Sequence, residues 1–167
     1  MSASTPMLHM LCGKIGSGKS TLSARLADAP GVVRIVEDDW LSGLYGEEMA
    51  SIQDYVRCAA KLRSLMEPHV ASLLKAGVSV VLDFPANTVE TRRWMRGILD
   101  EAGVSHALHV LDVPDEVCLE RLQARTAKGE HPFAVTKEQF QRISSHFVVP
   151  APEEGFNVVM HGLDEVS

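Results

Sequence analysis

Short apolar runs alternate along this chain with longer segments in which apolar residues recur every three or four positions. The runs predict β-strands, because strands buried on both faces are continuously apolar, at residues 7–12, 32–36, 78–84, 106–113 and 156–160. The longer segments predict helices at residues 19–28, 47–75, 88–102 and 136–147, with one more helix beginning near Pro114. Strands that alternate with helices form parallel sheets covered on both faces, so we expect a single α/β domain over residues 1–167.

Polar residues lie at or just after the carboxyl ends of four of the predicted strands. They are found in residues 13–20, at Asp38 and Asp39, in residues 83–87 and at Asp112. Parallel sheets bind their ligands at the carboxyl ends of the strands. We therefore expect the functional site at this edge of the sheet.

Residues 13–20 match the phosphate-binding motif G-x-x-x-x-G-K-[ST] in full, between a predicted buried strand and a predicted helix. The glycines allow successive N–H groups to face one anion, and the start of the helix adds a positive dipole end. The motif predicts binding of ATP with Mg²⁺, in which Lys19 reaches the β- and γ-phosphates and Ser20 binds the metal. The expected nucleotide contacts are Gly13, Lys14, Ile15, Gly16, Ser17, Gly18, Lys19, Ser20 and Thr21.

Carboxylates at the other strand ends are candidates for catalysis and metal binding. Asp38 and Asp39 form either a solvated turn or a general-base region, because a carboxylate near an acceptor hydroxyl can orient it and take its proton. Asp83 ends the run Val-Ser-Val-Val-Leu, where a carboxylate is costly to bury unless it pairs with a cation such as Mg²⁺. Asp112 either caps the following helix or contacts the ligand.

Two arginines lie four residues apart on the predicted helix after Pro114. Arg121 and Arg125 therefore point from one helix face, where they would stabilise charge on a transferring phosphoryl group. The alternative is a pair of surface ion pairs with Glu116 and Glu120, which contribute little. The polar loop that follows would exclude water by closing over the site.

Composition narrows the possible partners. The formal net charge of −6 disfavours tight binding to nucleic acid, which depends on Lys and Arg. Cys12, Cys58 and Cys118 are too far apart for zinc or disulfide motifs. The N-terminal residues lack the basic flank of a signal peptide, and residues 7–12 are too few to span a membrane. We expect a cytoplasmic protein with no membrane partner.

Taken together, these residues resemble the P-loop kinases of the polynucleotide 5′-hydroxyl kinase type. Related kinases that act on gluconate, chloramphenicol or sugar nucleotides, and zeta-toxin-like proteins, share much of this outline. The resemblance covers roughly residues 7–147. It rests on residues 13–20, Asp38, Asp39, Leu82, Asp83, Asn87, Arg92, Arg93, residues 111–114, Arg121 and Arg125.

The resemblance implies a P-loop NTPase fold with an adenylate-kinase-like core. Such a core has five parallel strands in the order 2-3-1-4-5, flanked by helices. The resemblance also implies that Asp38 is the general base, that Asp83 supports the metal or the acceptor, and that residues 125–135 form a lid. Arg121 and Arg125 would contact phosphates.

The chain departs from the polynucleotide kinases at one position. Those enzymes have an arginine two residues after the paired aspartates, whereas Asp38 and Asp39 are followed here by Trp40 and Leu41. The departure favours a small hydroxylated acceptor, contacted by Asp38, Asp39, Trp40 and Asn87. Large aromatic residues such as Trp40, Tyr45 and Trp94 are candidates for the acceptor pocket, although such residues more often belong to the core.

The leading hypothesis is therefore an ATP-dependent kinase that phosphorylates a hydroxyl group of a small molecule. A kinase acting on the 5′-hydroxyl end of a nucleic acid is one alternative. A nucleotide-binding switch or ATPase without a small-molecule acceptor is another.

Overall fold

The computed structural model of the chain describes residues 5–127 and 137–162. Its centre is a five-stranded parallel sheet in the order β2-β3-β1-β4-β5, which confirms the order implied by the resemblance. The strands are β1 Met7–Cys12, β2 Val32–Val36, β3 Ser79–Pro85, β4 Ser105–Leu111 and β5 Val158–His161. All five predicted strands are present, with small shifts at their ends.

Six α-helices connect or flank the strands in the described part of the chain. They are α1 Lys19–Leu26, α2 Glu37–Leu44, α3 Ile52–Lys75, α4 Val89–Ala102, α5 Asp115–Ala127 and α6 Lys137–Ser144. Two short 3₁₀ turns lie at Gly46–Glu48 and Pro152–Glu154.

Local capping explains where the long helices begin and end. The Ser51 hydroxyl accepts a hydrogen bond from the Asp54 N–H at 3.1 Å, so α3 begins after Ser51 and later than the predicted residue 47. The Thr88 hydroxyl caps α4 in the same way, through the N–H of Thr91 at 3.2 Å. Gly103, with φ of 65°, ends α4 in the left-handed conformation that glycine adopts readily.

Helix α2 was not predicted from the sequence. It begins at Glu37 directly after β2, so Asp38 and Asp39 lie in a first helical turn and not in a solvated turn. Carboxylates at a helix N-terminus are stabilised by the partial positive charge there. The helix is held against the core by Leu41, which is buried.

The main hydrophobic core lies between the sheet and helices α3 and α4. Trp94 and Tyr45 pack against this core, and the ring of Trp94 lies 5.4 Å from that of Phe84. A smaller cluster on the opposite face packs α1 against the sheet, and a third joins α5 to α6. The core interpretation of Trp94 and Tyr45 therefore fits the structure better than a place in a pocket.

Arg92, on α4, connects the segment after α6 to the residues that follow β3. Its buried guanidinium donates hydrogen bonds to the carbonyl oxygens of Ala86 at 2.9 Å and Val148 at 2.8 Å. It also forms an ion pair with Glu154, with 2.7 Å between Nε and Oε1. Because its donors are used in this way, Arg92 has a structural role.

None of the helices in the described part of the chain combines the length and the hydrophobicity that a membrane span requires. All three cysteines are buried free thiols.

Candidate active site

The sheet topology brings most of the predicted site residues into one cavity of about 330 Å³. Residues 14–20 form one side of it, between the end of β1 and the start of α1. The ends of β2 and β3 contribute Asp38, Asp83 and Asn87. Central strands β1 and β3 are neighbours, so residues far apart in the sequence meet at their carboxyl ends.

The backbone conformation of the loop explains why glycine occupies two of its positions. Gly16 has a φ of 81° and Gly18 a φ of 102°, values that other residues rarely adopt. A Cβ atom at Gly16 would also lie only 2.6 Å from the carbonyl oxygen of Cys118 on α5. Gly18 precedes α1 and provides no side-chain cap, so the N–H groups at the start of that helix are available to an anion.

Lys19 is a half-buried cation at the end of the loop. Its Nζ atom donates hydrogen bonds to the carbonyl oxygens of Gly13 and Lys14, the second at 3.3 Å. Burial lowers the pKa of Lys19, and the nearby carboxylate of Asp83 acts in the opposite direction. A phosphate group in the cavity would favour the charged form of this ammonium group.

Asn87 holds the loop in place. Its Oδ1 atom accepts a hydrogen bond from the N–H of Gly13, and its Nδ2 atom donates to the carbonyl oxygen of Gly13, both at 2.9 Å. The carbonyl oxygen of Asn87 accepts a further bond from the N–H of Val148 at 2.8 Å. Asn87 lines the cavity, and its side chain is engaged with the loop; its contact with an acceptor stays a prediction.

Asp83 is paired with an arginine that the sequence analysis did not single out. Asp83 is buried, and its Oδ2 atom lies 3.6 Å from Nη2 of Arg34 without a hydrogen-bond partner. Arg34 also donates to the carbonyl oxygen of Ser20 at 3.2 Å. The only signal for this role was one charged residue within the apolar run Val-Val-Arg-Ile-Val.

The residues predicted to hold Mg²⁺ fit that group. Ser20 and Asp83 line the same cavity, and a buried carboxylate oxygen without a hydrogen bond is suited to a divalent cation or its water. The described residues include no cluster of three or more His, Cys, Asp or Glu side chains that would bind a metal by itself.

Two carboxylates of α2 line different cavities. Asp38 is exposed and lines the main cavity together with Lys19 and Asp83. Asp39 and Trp40 instead line a separate shallow cavity on α2. Asp38 is thus the one of the two that shares a cavity with the phosphate-binding loop.

Arg121 contacts the loop from α5. Its Nη1 atom donates to the carbonyl oxygen of Ser17 at 3.3 Å, which favours the phosphate-site hypothesis over a surface ion pair. The side chain of Arg125 and residues 128–135 lie outside the described part of the structure, so the lid stays a prediction. Asp112 is exposed and does not line the cavity.

A protein-family model described as an AAA domain matches residues 8–150. The chain belongs to this family. A search of curated proteins finds no match.

Solved structures show the same fold at low sequence identity. A Chloroflexus aurantiacus protein assigned to the kinases has a TM-score of 0.76 and 19% identity, over 96% of this chain and 87% of that one. A gluconokinase from Sinorhizobium meliloti 1021 has a TM-score of 0.60 and 20% identity, over 99% and 89% of the two chains. The APS kinase CysC of Mycobacterium tuberculosis, in complex with AMPPNP and APS, has a TM-score of 0.60 and 23% identity, over 96% and 92%. The fold of this AAA-domain protein is therefore that of the P-loop kinases.

Proposed function

We propose that the protein is an ATP-dependent kinase that transfers the γ-phosphoryl group to a hydroxyl group of a small molecule. One observation carries this proposal. A single cavity contains the phosphate-binding loop of residues 14–20 and the carboxylates Asp38 and Asp83. A simple nucleotide switch needs the loop, whereas phosphoryl transfer also needs a base facing the γ-phosphate.

The loop and α1 would bind the triphosphate of ATP. Backbone N–H groups of residues 16–20 would face the phosphates, and the Lys19 ammonium would contact the β- and γ-phosphates. Ser20 and Asp83 would hold Mg²⁺, which neutralises charge on the phosphate oxygens when it is bound. Asn87 keeps the loop in position through its two bonds to Gly13.

Asp38 would act as the general base. It orients the acceptor hydroxyl and takes its proton while the acceptor oxygen forms a bond to the γ-phosphorus. The bond from the γ-phosphorus to the β,γ-bridging oxygen breaks, and ADP leaves with that electron pair. Arg121, and Arg125 as predicted from the sequence, would stabilise the charge that develops on the transferring group.

The charge of the protein supports a small acceptor over a nucleic acid. The net charge is −6, and Leu41 lies two residues after the paired aspartates, where polynucleotide kinases carry an arginine. The fold neighbours include a gluconokinase and an APS kinase as well as Pnkp1 of an RNA repair complex, so the preference for a small acceptor rests on the charge and on position 41. A cytoplasmic location belongs to the same proposal.

Transfer of label from γ-³²P-ATP tests this function. The wild-type protein is incubated with Mg²⁺ and a panel of nucleosides, sugars, polyols, aminoglycosides and 5′-hydroxyl oligonucleotides. We expect label on a small molecule, and loss of that label in Asp38→Asn but not in Asp112→Asn, an exposed carboxylate outside the cavity. Release of phosphate without transfer to any acceptor would favour an ATPase or switch, and label on the oligonucleotides would favour a polynucleotide kinase.

A further inference from the structure

A buried carboxylate next to Asp38 has no part in the function proposed so far. Glu37 is the first residue of α2 and is 2% exposed, yet it lines the same cavity as the phosphate-binding loop. Burial of a carboxylate is costly unless its oxygen atoms are paired. Its contacts therefore indicate what the cavity is built to receive.

The pairing of Glu37 is incomplete. Its Oε1 atom accepts a hydrogen bond from the hydroxyl of Tyr55 on α3. Its Oε2 atom lies 3.6 Å from Nη2 of Arg63, also on α3, but has no hydrogen bond. The Nε atom of Arg63 is likewise buried without a hydrogen-bond partner. Most buried polar atoms are hydrogen-bonded, so two unpaired atoms in one cluster need an explanation.

A hydroxyl group of a ligand would complete this cluster. Glu37 lines the cavity and its Oε2 atom needs a donor, whereas Arg63 does not line the cavity and acts by holding Glu37. A hydroxyl group supplies one donor and two acceptor lone pairs, whereas a carboxylate supplies acceptors alone. The unpaired Oε2 atom therefore fits a hydroxylated molecule better than an acidic one.

The charged residues that line the cavity also favour a ligand that is not acidic. Glu37, Asp38 and Asp83 all contribute carboxylates to its wall. Of the two lysines that line the cavity, Lys19 is engaged with the loop and Lys14 is paired with Asp115. Arg34 does not line the cavity and is engaged with Ser20 and Asp83. An anionic acceptor would approach these carboxylates as well as the phosphates of ATP, and like charges repel.

We propose that Glu37, held by Tyr55 and Arg63, binds a hydroxyl group of the acceptor and selects uncharged or cationic polyhydroxyl molecules over anionic ones. This inference rests on the proposed kinase function and specifies its substrate class. Asp38 remains the residue that accepts the proton of the reacting hydroxyl group. Glu37 contributes by binding another hydroxyl group of the acceptor.

Three acceptors that share one carbon chain test the charge selection. D-glucitol is uncharged, 1-amino-1-deoxy-D-glucitol is cationic, and D-gluconate is anionic. A unit charge about 6 Å from a carboxylate changes affinity on the order of 10-fold at an effective dielectric constant near 40. We expect kcat/KM to be at least about 10-fold higher for the first two than for gluconate.

Glu37→Gln tests whether this residue causes the selection, because the substitution removes the charge and preserves the shape. We expect the preference against gluconate to shrink by about 5- to 10-fold, mainly through the acceptor KM, with unchanged ATP affinity. Tyr55→Phe should raise the acceptor KM and retain the charge preference. Asp100→Asn removes an exposed carboxylate that lines neither cavity and should match the wild type. Thermal unfolding checks that each variant is folded.

The outcomes separate this inference from the proposed function. Best transfer to gluconate, or an undiminished preference in Glu37→Gln, would overturn the selection by Glu37 and leave the kinase in place. Transfer to another molecule but to none of the three would overturn the polyhydroxyl class. Transfer to no acceptor at all, with ATP still bound, would overturn the proposed function and this inference with it.

Discussion

Replacing Asn87 with leucine tests whether the cavity depends on a side chain that holds the phosphate-binding loop. The substitution keeps the approximate size of the residue and removes both hydrogen bonds to Gly13, each 2.9 Å long. A typical bond contributes about 1 kcal/mol net, and a buried group left without a partner costs about 1–3 kcal/mol. We expect the free energy of unfolding to fall by about 2–4 kcal/mol.

Urea denaturation measures this loss, and calorimetry with Mg²⁺ and ADP measures its effect on the loop. Because Gly13 begins the phosphate-binding loop, we expect nucleotide affinity to fall together with stability. Asn157→Leu is the matched control, since its side chain makes one exposed hydrogen bond to the carbonyl oxygen of His106 at 3.2 Å. The reasoning is refuted if Asn87→Leu is no less stable than Asn157→Leu and binds nucleotide as the wild type does.

Three further substitutions probe the base, the loop and the C-terminal attachment. Asp38→Asn should retain ATP affinity and lose phosphoryl transfer, and equal loss of both would reassign Asp38 to binding. Gly16→Ala should weaken both nucleotide binding and thermal stability, because its Cβ would lie 2.6 Å from the carbonyl oxygen of Cys118 at a φ of 81°; wild-type behaviour would exclude this close packing. The hydrogen bond from Arg92 lowers the pKa of Glu154, so its stabilising effect is complete above the ordinary value of 4.5 and is lost as the pH falls below it. Glu154→Gln should show a smaller loss of stability between pH 5 and pH 3 than the wild type, and an identical loss would contradict this.

The strands and the phosphate-binding loop could be predicted from the sequence because their signals are local. Each strand is an apolar run bounded by glycine, proline or polar residues, and the loop matches a motif of fixed spacing. The order of the strands came from the resemblance to the P-loop kinases, because local periodicity carries no information about strand neighbours. Helix α2 was missed because its acidic first turn, Glu37 to Asp39, also suits a solvated turn.

The contacts of the site that the sequence analysis did not predict join residues that are far apart along the chain. Asn87 meets Gly13 across 74 positions of the sequence, and Tyr55 meets Glu37 across 18. Arg34 meets Asp83 because β2 and β3 are neighbours in the sheet. No local sequence pattern predicts such pairs, because the fold of the chain brings their residues together.

Isothermal titration calorimetry of the protein with a non-hydrolysable ATP analogue, in the presence of Mg²⁺, tests most directly whether the loop binds a triphosphate. The wild-type protein should bind the analogue at a single site. Lys19→Ala should weaken this binding by at least about 100-fold, because it removes the ammonium group that would pair with the phosphates. No heat from the wild-type protein, or undiminished binding in Lys19→Ala, would contradict the account.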